Sequence, residues 1–279
     1  MTTMESRAAW GPVARSELGS GALQLFGPVE KPAMLMLHGI EDSWRTWQPF
    51  ADRMSDRFRC YAPELPWHAG SDYRWGDRTT AARLIDTAIG MVPGRVSVIV
   101  AHSLGAVAVL RWLAAGVHCG VDAVVLLSPF YRAEPLTSPL CTFEHTLDEI
   151  NYAARSSMRS LLGARVDSVE TDVLDLMVRK FLDRLSPSGL LGLADIFLST
   201  AGNDLRDNTV PILALSGTDD EGLDGGRAEQ FAADVANVRI VRRAGLSHFC
   251  HLQHTDLVCE QVSEFLSGHL PEICSKENS

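Results

Sequence analysis

The chain has 279 residues, 46% of them hydrophobic and 22% charged, which is enough for a large core in one α/β domain with room for an inserted lobe. Its formal net charge of −10 offers little to a phosphate backbone and argues against nucleic-acid partners. No apolar run approaches the roughly 20 residues of a membrane span. Met1 to Trp10 lacks the apolar core of a signal peptide, and the six cysteines are scattered without C-x-x-C spacing, as expected of reduced cytoplasmic thiols.

Residues 1–12 read as loose. A hairpin is predicted over Ala14–Phe26, with arms Arg15-Ser16-Glu17-Leu18 and Ala22–Phe26 around Gly19-Ser20-Gly21. Met34–Leu37 is a buried strand running into His38-Gly39-Ile40. Trp47–Arg57 is a short amphipathic helix, Phe58–Ala62 a strand, and Pro63–Gly76 a loop holding Trp67 and Trp75. Thr79–Met91 is helical. Val98-Ile99-Val100-Ala101 has the apolar, mostly β-branched character of a strand covered on both faces. Ala106, Ala108, Leu110, Leu113 and Ala114 favour a helix directly after it. Ser103 therefore falls where a strand turns sharply into a helix. Small residues flank it in Ala101-His102-Ser103-Leu104-Gly105, as a nucleophile elbow requires; an ordinary βα turn with a serine cap fits the same five residues.

Val121–Leu127 is another buried strand, and then the strand rhythm stops. From about Phe130 to Asn208, residues 147–162, 168–185 and 190–200 read as helix, with Ser186-Pro187-Ser188-Gly189 as a break. A structureless loop of that length is uncommon. We therefore expect residues 130–208 to form a helical cap inserted into a core of residues 1–129 and 209–279. Alternation resumes with strand Ile212–Ser216, helix Arg227–Val235, strand Val238–Arg242 and helix His254–His269. The expected class is α/β, with a mostly parallel, doubly wound sheet and helices on both faces.

Ligands of open α/β sheets sit outside the carboxyl ends of the strands. His38-Gly39, Ser103, Asp219/Asp220 and His248 all fall there. A serine hydroxyl needs a base to become a nucleophile. Histidine serves near neutral pH, and a buried carboxylate fixes its tautomer. Ser103, then an aspartate, then His248 follow three separate strands, the order expected on an α/β-hydrolase sheet.

On His38-Gly39-Ile40, His102-Ser103-Leu104-Gly105, Gly217-Thr218-Asp219-Asp220 and Gly245-Leu246-Ser247-His248-Phe249, the chain resembles the α/β-hydrolase superfamily, in its capped esterase, lipase and C–C hydrolase branch. The likeness covers about residues 20–128 and 209–270. It implies Ser103 as nucleophile, His248 as base and Asp220 as acid, with Asp219 in reserve. It also implies an oxyanion hole from the backbone N–H groups of Ile40 and Leu104. The chain departs from the family at Trp67 and Ala69, where relatives commonly carry glycine, and at Gln253, where many carry glutamate.

The activity implied is a cofactor-independent serine hydrolase of esters, thioesters or lactones. C–C bond hydrolysis, acyl transfer or cyclisation on the same site is the first alternative, and a non-catalytic binding module the second. The partner expected is a small acyl substrate, apolar or aromatic; oligomeric state stays open. Leu174, Leu176, Met177, Phe181 and Leu182 are expected to contribute an apolar wall, opposite Trp67 or Trp75. His38 is read as structural and His102 as shaping the pocket. Glu41 and Asp42 are read as solvated. His248, His251 and His254 are close enough to mimic a metal cluster, but no zinc-protease spacing accompanies them, so no metal is expected and the latter two are assigned surface or helix-start roles.

Overall fold

The computed structural model describes residues 11–15, 22–26, 30–71, 80–116, 120–132, 168–198 and 205–270, together with 147–148, 150–152, 154–155, 158–159, 162 and 165. Eight strands form one sheet: β1 (Gly11–Arg15), β2 (Ala22–Phe26), β3 (Ala33–Leu37), β4 (Arg59–Pro63), β5 (Val96–His102), β6 (Ala123–Leu127), β7 (Ile212–Gly217) and β8 (Val238–Arg243), in the order β1-β2-β4-β3-β5-β6-β7-β8. β3 to β8 run parallel, and the antiparallel β1–β2 pair extends the sheet beyond β4.

The first arm of the hairpin is Gly11–Arg15, upstream of the arm predicted, so residues 11 and 12 are not loose. β1 is an edge strand, where Pro12 is tolerated. The predicted turn and Trp75 lie outside the described residues.

Side chains alternate between the two faces of the parallel strands, as the two-residue period demands. Leu35, Leu37, Ile99 and Ala101 pack on one side with α2 (Ala81–Met91) and α3 (Leu104–Ala114). Met34, Met36, Val98 and Val100 pack on the other, with α1 (Gln48–Met54) and the closing helix Thr255–His269. Both faces are therefore covered, which is why these strands read as unbroken apolar runs.

Chain order and sheet order cross at one place. The chain leaves β3 for β4 on one side, then returns past β3 to place β5 on the other. The carboxyl ends of β3 and β5 thus flank the topological switch point, where open α/β sheets bind ligands.

Between β6 and β7, helices Thr171–Leu182 and Pro187–Leu198 are joined by helical residues among 147–162. Val178, Phe181 and Leu193 are buried in the same hydrophobic cluster as α3, so the inserted helices share the main core on that face. Leu176 and Met177 are exposed. Trp67 and Trp47 are fully buried and belong to the core.

Candidate active site

Ser103 follows β5 with φ 50° and ψ −117°, a strained conformation that turns the chain abruptly into α3. Its N–H is tied to Leu127 O at 3.0 Å, which fixes the turn against β6. The turn holds only because Gly105 has no side chain. A Cβ there would lie 2.8 Å from both the Leu37 and His38 carbonyl oxygens. Ser103 is nearly buried.

β7 and β8 bring the other two groups to the same rim. Gly217 lets the base loop come close: a Cβ at this position would stand 2.0 Å from Leu246 O. His248 then hydrogen-bonds in two directions. Its Nε2 lies 3.0 Å from Ser103 Oγ, and its Nδ1 lies 3.0 Å from Asp220 Oδ2. A carboxylate only accepts, so Nδ1 carries the proton and Nε2 presents its lone pair to the serine hydroxyl. Asp220 Oδ1 accepts from Gly222 N at 3.0 Å. Burial alone would raise the Asp220 carboxyl, but the neighbouring His248 and its hydrogen bonds hold it down at about 2. Asp219 is exposed and takes no part in this line; its carboxylate accepts from Thr218 Oγ1.

The segment after β3 packs directly on the elbow. Gly39 lies so close that a Cβ on it would come within 3.1 Å of Ser103 Cβ. Glu41, with φ 51°, turns the chain there, and its N–H donates to Trp67 O at 3.1 Å. Trp67 in turn donates Nε1–H to His38 O at 3.0 Å, and the His38 ring is bound by Gly39 O and Leu65 N. These bonds give Trp67 a bracing task behind the segment, not a place in an apolar pocket wall. Ile40 and Leu104 are buried beside the serine, and neither N–H has an acceptor among the described residues.

Two expectations for neighbouring residues are corrected. Asp42 is not solvated: it is 3% exposed, because the turn at Glu41 directs it inward. Burial raises its carboxyl to about 6, against the lowering effect of His38 and the Ser43 N–H. His251 is not at the surface either, although it does lie at a helix start, in the first turn of Cys250–Gln253. It is fully buried against Trp47 and His102, and burial pushes it down to about 3. His254 does sit at a helix start, at the N-cap position of Thr255–His269, without a side-chain capping bond. His102 is also fully buried, and its Nε2 lies 2.9 Å from the His248 carbonyl oxygen.

A cavity of about 350 Å³ opens beside His248 and Asp220, with Tyr152 and Arg159 of the insertion and Asp219 on its walls. Arg184 of the insertion forms an ion pair with Glu41 next to the Gly39–Ile40 segment. Among the described residues, no helix is long and apolar enough to cross a membrane.

A parallel sheet of this strand order, with a strained serine after β5 and an Asp–His pair delivered by β7 and β8, defines the α/β-hydrolase architecture. The family model described as "Alpha/beta hydrolase family" matches residues 34–261, and the chain belongs to that family. A thioesterase domain from the curacin biosynthetic pathway is similar in structure at 18% identity, covering 92% of this chain and 100% of its own, with TM-score 0.64. An esterase from Thermogutta terrifontis is 17% identical over 94% of this chain and 100% of its own, also with TM-score 0.64. A haloalkane dehalogenase loop variant from Bradyrhizobium elkanii is 16% identical, covers 96% and 99%, and gives TM-score 0.64. Comparison with curated proteins returned no match. At these identities the structural likenesses speak to fold alone.

Proposed function

We propose that the chain is a serine hydrolase of carboxylic esters or thioesters that works through an acyl-enzyme. The observation carrying this reading is the unbroken line from Asp220 through His248 to Ser103, with 3.0 Å at each step. Ser103 Oγ attacks the acyl carbon while His248 Nε2 takes its proton. Asp220 keeps Nδ1 protonated and stabilises the imidazolium. The amides of Ile40 and Leu104 receive the oxyanion. His248 then gives its proton to the departing alkoxide or thiolate. A water, deprotonated by the same nitrogen, releases the acid and restores Ser103.

Residues 130–208 act in this reading as a cap over the acyl site. Support comes from the cavity walls, which combine the base loop with Tyr152 and Arg159, and from the Arg184–Glu41 pair. The test is a panel of aryl esters and acyl thioesters hydrolysed in 18O-labelled water. Release of acid carrying one labelled oxygen, lost in Ser103→Ala, is the expected result. Product without label would mean that an internal nucleophile replaces water. No turnover of any acyl substrate by folded protein would overturn the proposal.

A further inference from the structure

Behind the triad lies a second set of polar groups that the proposed reaction does not use. Asp42, His102 and His251 come from three different segments: the turn after Ile40, the end of β5, and the short helix Cys250–Gln253 after the base loop. All three are buried, and their ligand-type atoms lie within 4.8 Å of one another. Such a set leaves several lone pairs without partners. His102 Nδ1 and both ring nitrogens of His251 have no hydrogen bond among the described residues. A buried polar atom left in that state is destabilising unless something meets it.

The hydrogen bonds present say what that something must be. The His248 carbonyl oxygen can only accept, so His102 Nε2 carries the hydrogen and Nδ1 presents a lone pair. Asp42 Oδ2 stands 3.9 Å from this Nδ1, too far for a hydrogen bond. The Asp42 carboxylate is oriented by Ser43 N–H at 2.8 Å and Thr46 Oγ1 at 3.1 Å, and no lysine or arginine pairs with it among the described residues. A buried anion therefore faces imidazole lone pairs with no cation between them. His102 is held as metal-binding histidines are, with the far ring nitrogen donating to a backbone carbonyl, and the carboxylate is fixed by its own hydrogen bonds.

We propose that Asp42, His102 and His251 form a buried site for a divalent transition-metal ion, a two-histidine, one-carboxylate set suited to Zn²⁺. Bonds of about 2.0–2.1 Å around a tetrahedral ion place ligand atoms roughly 3.3 Å apart. The present separations, 3.9 Å from Asp42 Oδ2 to His102 Nδ1 and at most 4.8 Å across the set, are wider, so the ligands must draw in around the ion. Trp47, its ring tilted against His251, and Phe249, against His102, supply a dry apolar shell. The ion would tie together the oxyanion segment, the elbow and the base loop. Its role is structural, because none of its ligands belongs to the Ser103–His248–Asp220 line.

The test does not use activity. Protein produced in zinc-supplemented medium is desalted and its metal counted, and a Co²⁺-loaded sample is examined by visible absorption. One Zn²⁺ per chain is expected, with intense low-coordinate Co²⁺ bands and a Tm about 5 °C above that of chelator-treated protein. His251→Phe, which keeps a ring against Trp47, and Asp42→Asn should each weaken retention by at least about 100-fold. Should either variant fail to fold, the wild-type cobalt spectrum still decides. Wild type that retains no metal, shows only the spectrum of hydrated Co²⁺ and gains no Tm would overturn the proposal and leave the cluster to bridging water. So would Zn²⁺ held equally well by both folded variants, which would place it elsewhere on the chain.

Discussion

Replacing Asp220 by asparagine probes the line of hydrogen bonds at the member hardest to assign from sequence. The carboxyl sits at about 2, against 3.8 for a free aspartate, despite burial that pushes the other way. That difference is the preference of the folded site for a carboxylate beside His248, on the order of 2 kcal/mol, or a factor of some tens. Removing the charge takes this stabilisation away from the His248 imidazolium. Asparagine does further harm, because its NH₂ can donate to His248 Nδ1 and shift the ring proton to Nε2. His248 would then have no lone pair for Ser103, a tautomer error that costs about 10⁴ in a comparable triad. We expect kcat/KM on an aryl ester to fall between about 100- and 10,000-fold, with an unchanged circular dichroism spectrum. Asp219→Asn should lose less than about 3-fold, since that carboxylate is exposed and bonded only locally. A loss below about 10-fold for Asp220→Asn, or a larger loss for Asp219→Asn, would refute the assignment.

Ser103→Ala and His248→Ala should each remove nearly all turnover, and the double variant should be no worse than either, because the residues act as a unit; multiplicative losses in kcat/KM would contradict this. Gly105→Ala should destabilise the fold by about 1–3 kcal/mol in urea unfolding, since its methyl meets two backbone oxygens at 2.8 Å. Gly90→Ala in α2 has open space around it and should stabilise by about 0.5–1 kcal/mol, a control for the helix effect of the same change. Stability should also depend on acid in a defined way. Asp220 has a depressed folded-state value, so its contribution is complete above about pH 4 and is lost as pH falls towards about 2. The difference in unfolding free energy between wild type and Asp220→Asn should shrink by about 2 kcal/mol across that window.

Ser103 and Asp219/Asp220 were legible because each follows an apolar run that reads as a buried strand, and His248 because it follows β8, the last strand of the alternation, a half-buried sheet edge. A parallel sheet brings the carboxyl ends of such strands to one rim. Choosing between Asp219 and Asp220 needed the family's spacing, since adjacent residues share every local signal; what separates them is burial. Asp42 was misread because an acid two residues past Ile40 looks solvated, and the positive φ at Glu41 that turns it inward leaves no mark in a non-glycine residue. His251 carried a usable signal, since it lies in Phe249-Cys250-His251-Leu252, where Phe249 and Cys250 are buried with it. Trp67 read as a pocket residue because it sits in a loop; its indole N–H on His38 O is a tertiary contact with no sequence period. The insertion was legible as helix but not in its packing. Phe181 and Leu193 join the core around α3, while Leu176 and Met177 from the same apolar stripe remain exposed.

Covalent capture tests the central claim most directly. Wild-type protein, His248→Ala and Ser103→Ala are treated with a small fluorophosphonate, and the adduct is located by peptide mass spectrometry. We expect one adduct per wild-type chain, on the peptide carrying Ser103, formed at least about 1,000-fold more slowly in His248→Ala and absent from Ser103→Ala. Labelling of another residue, or equal labelling of Ser103 with and without His248, would contradict the account.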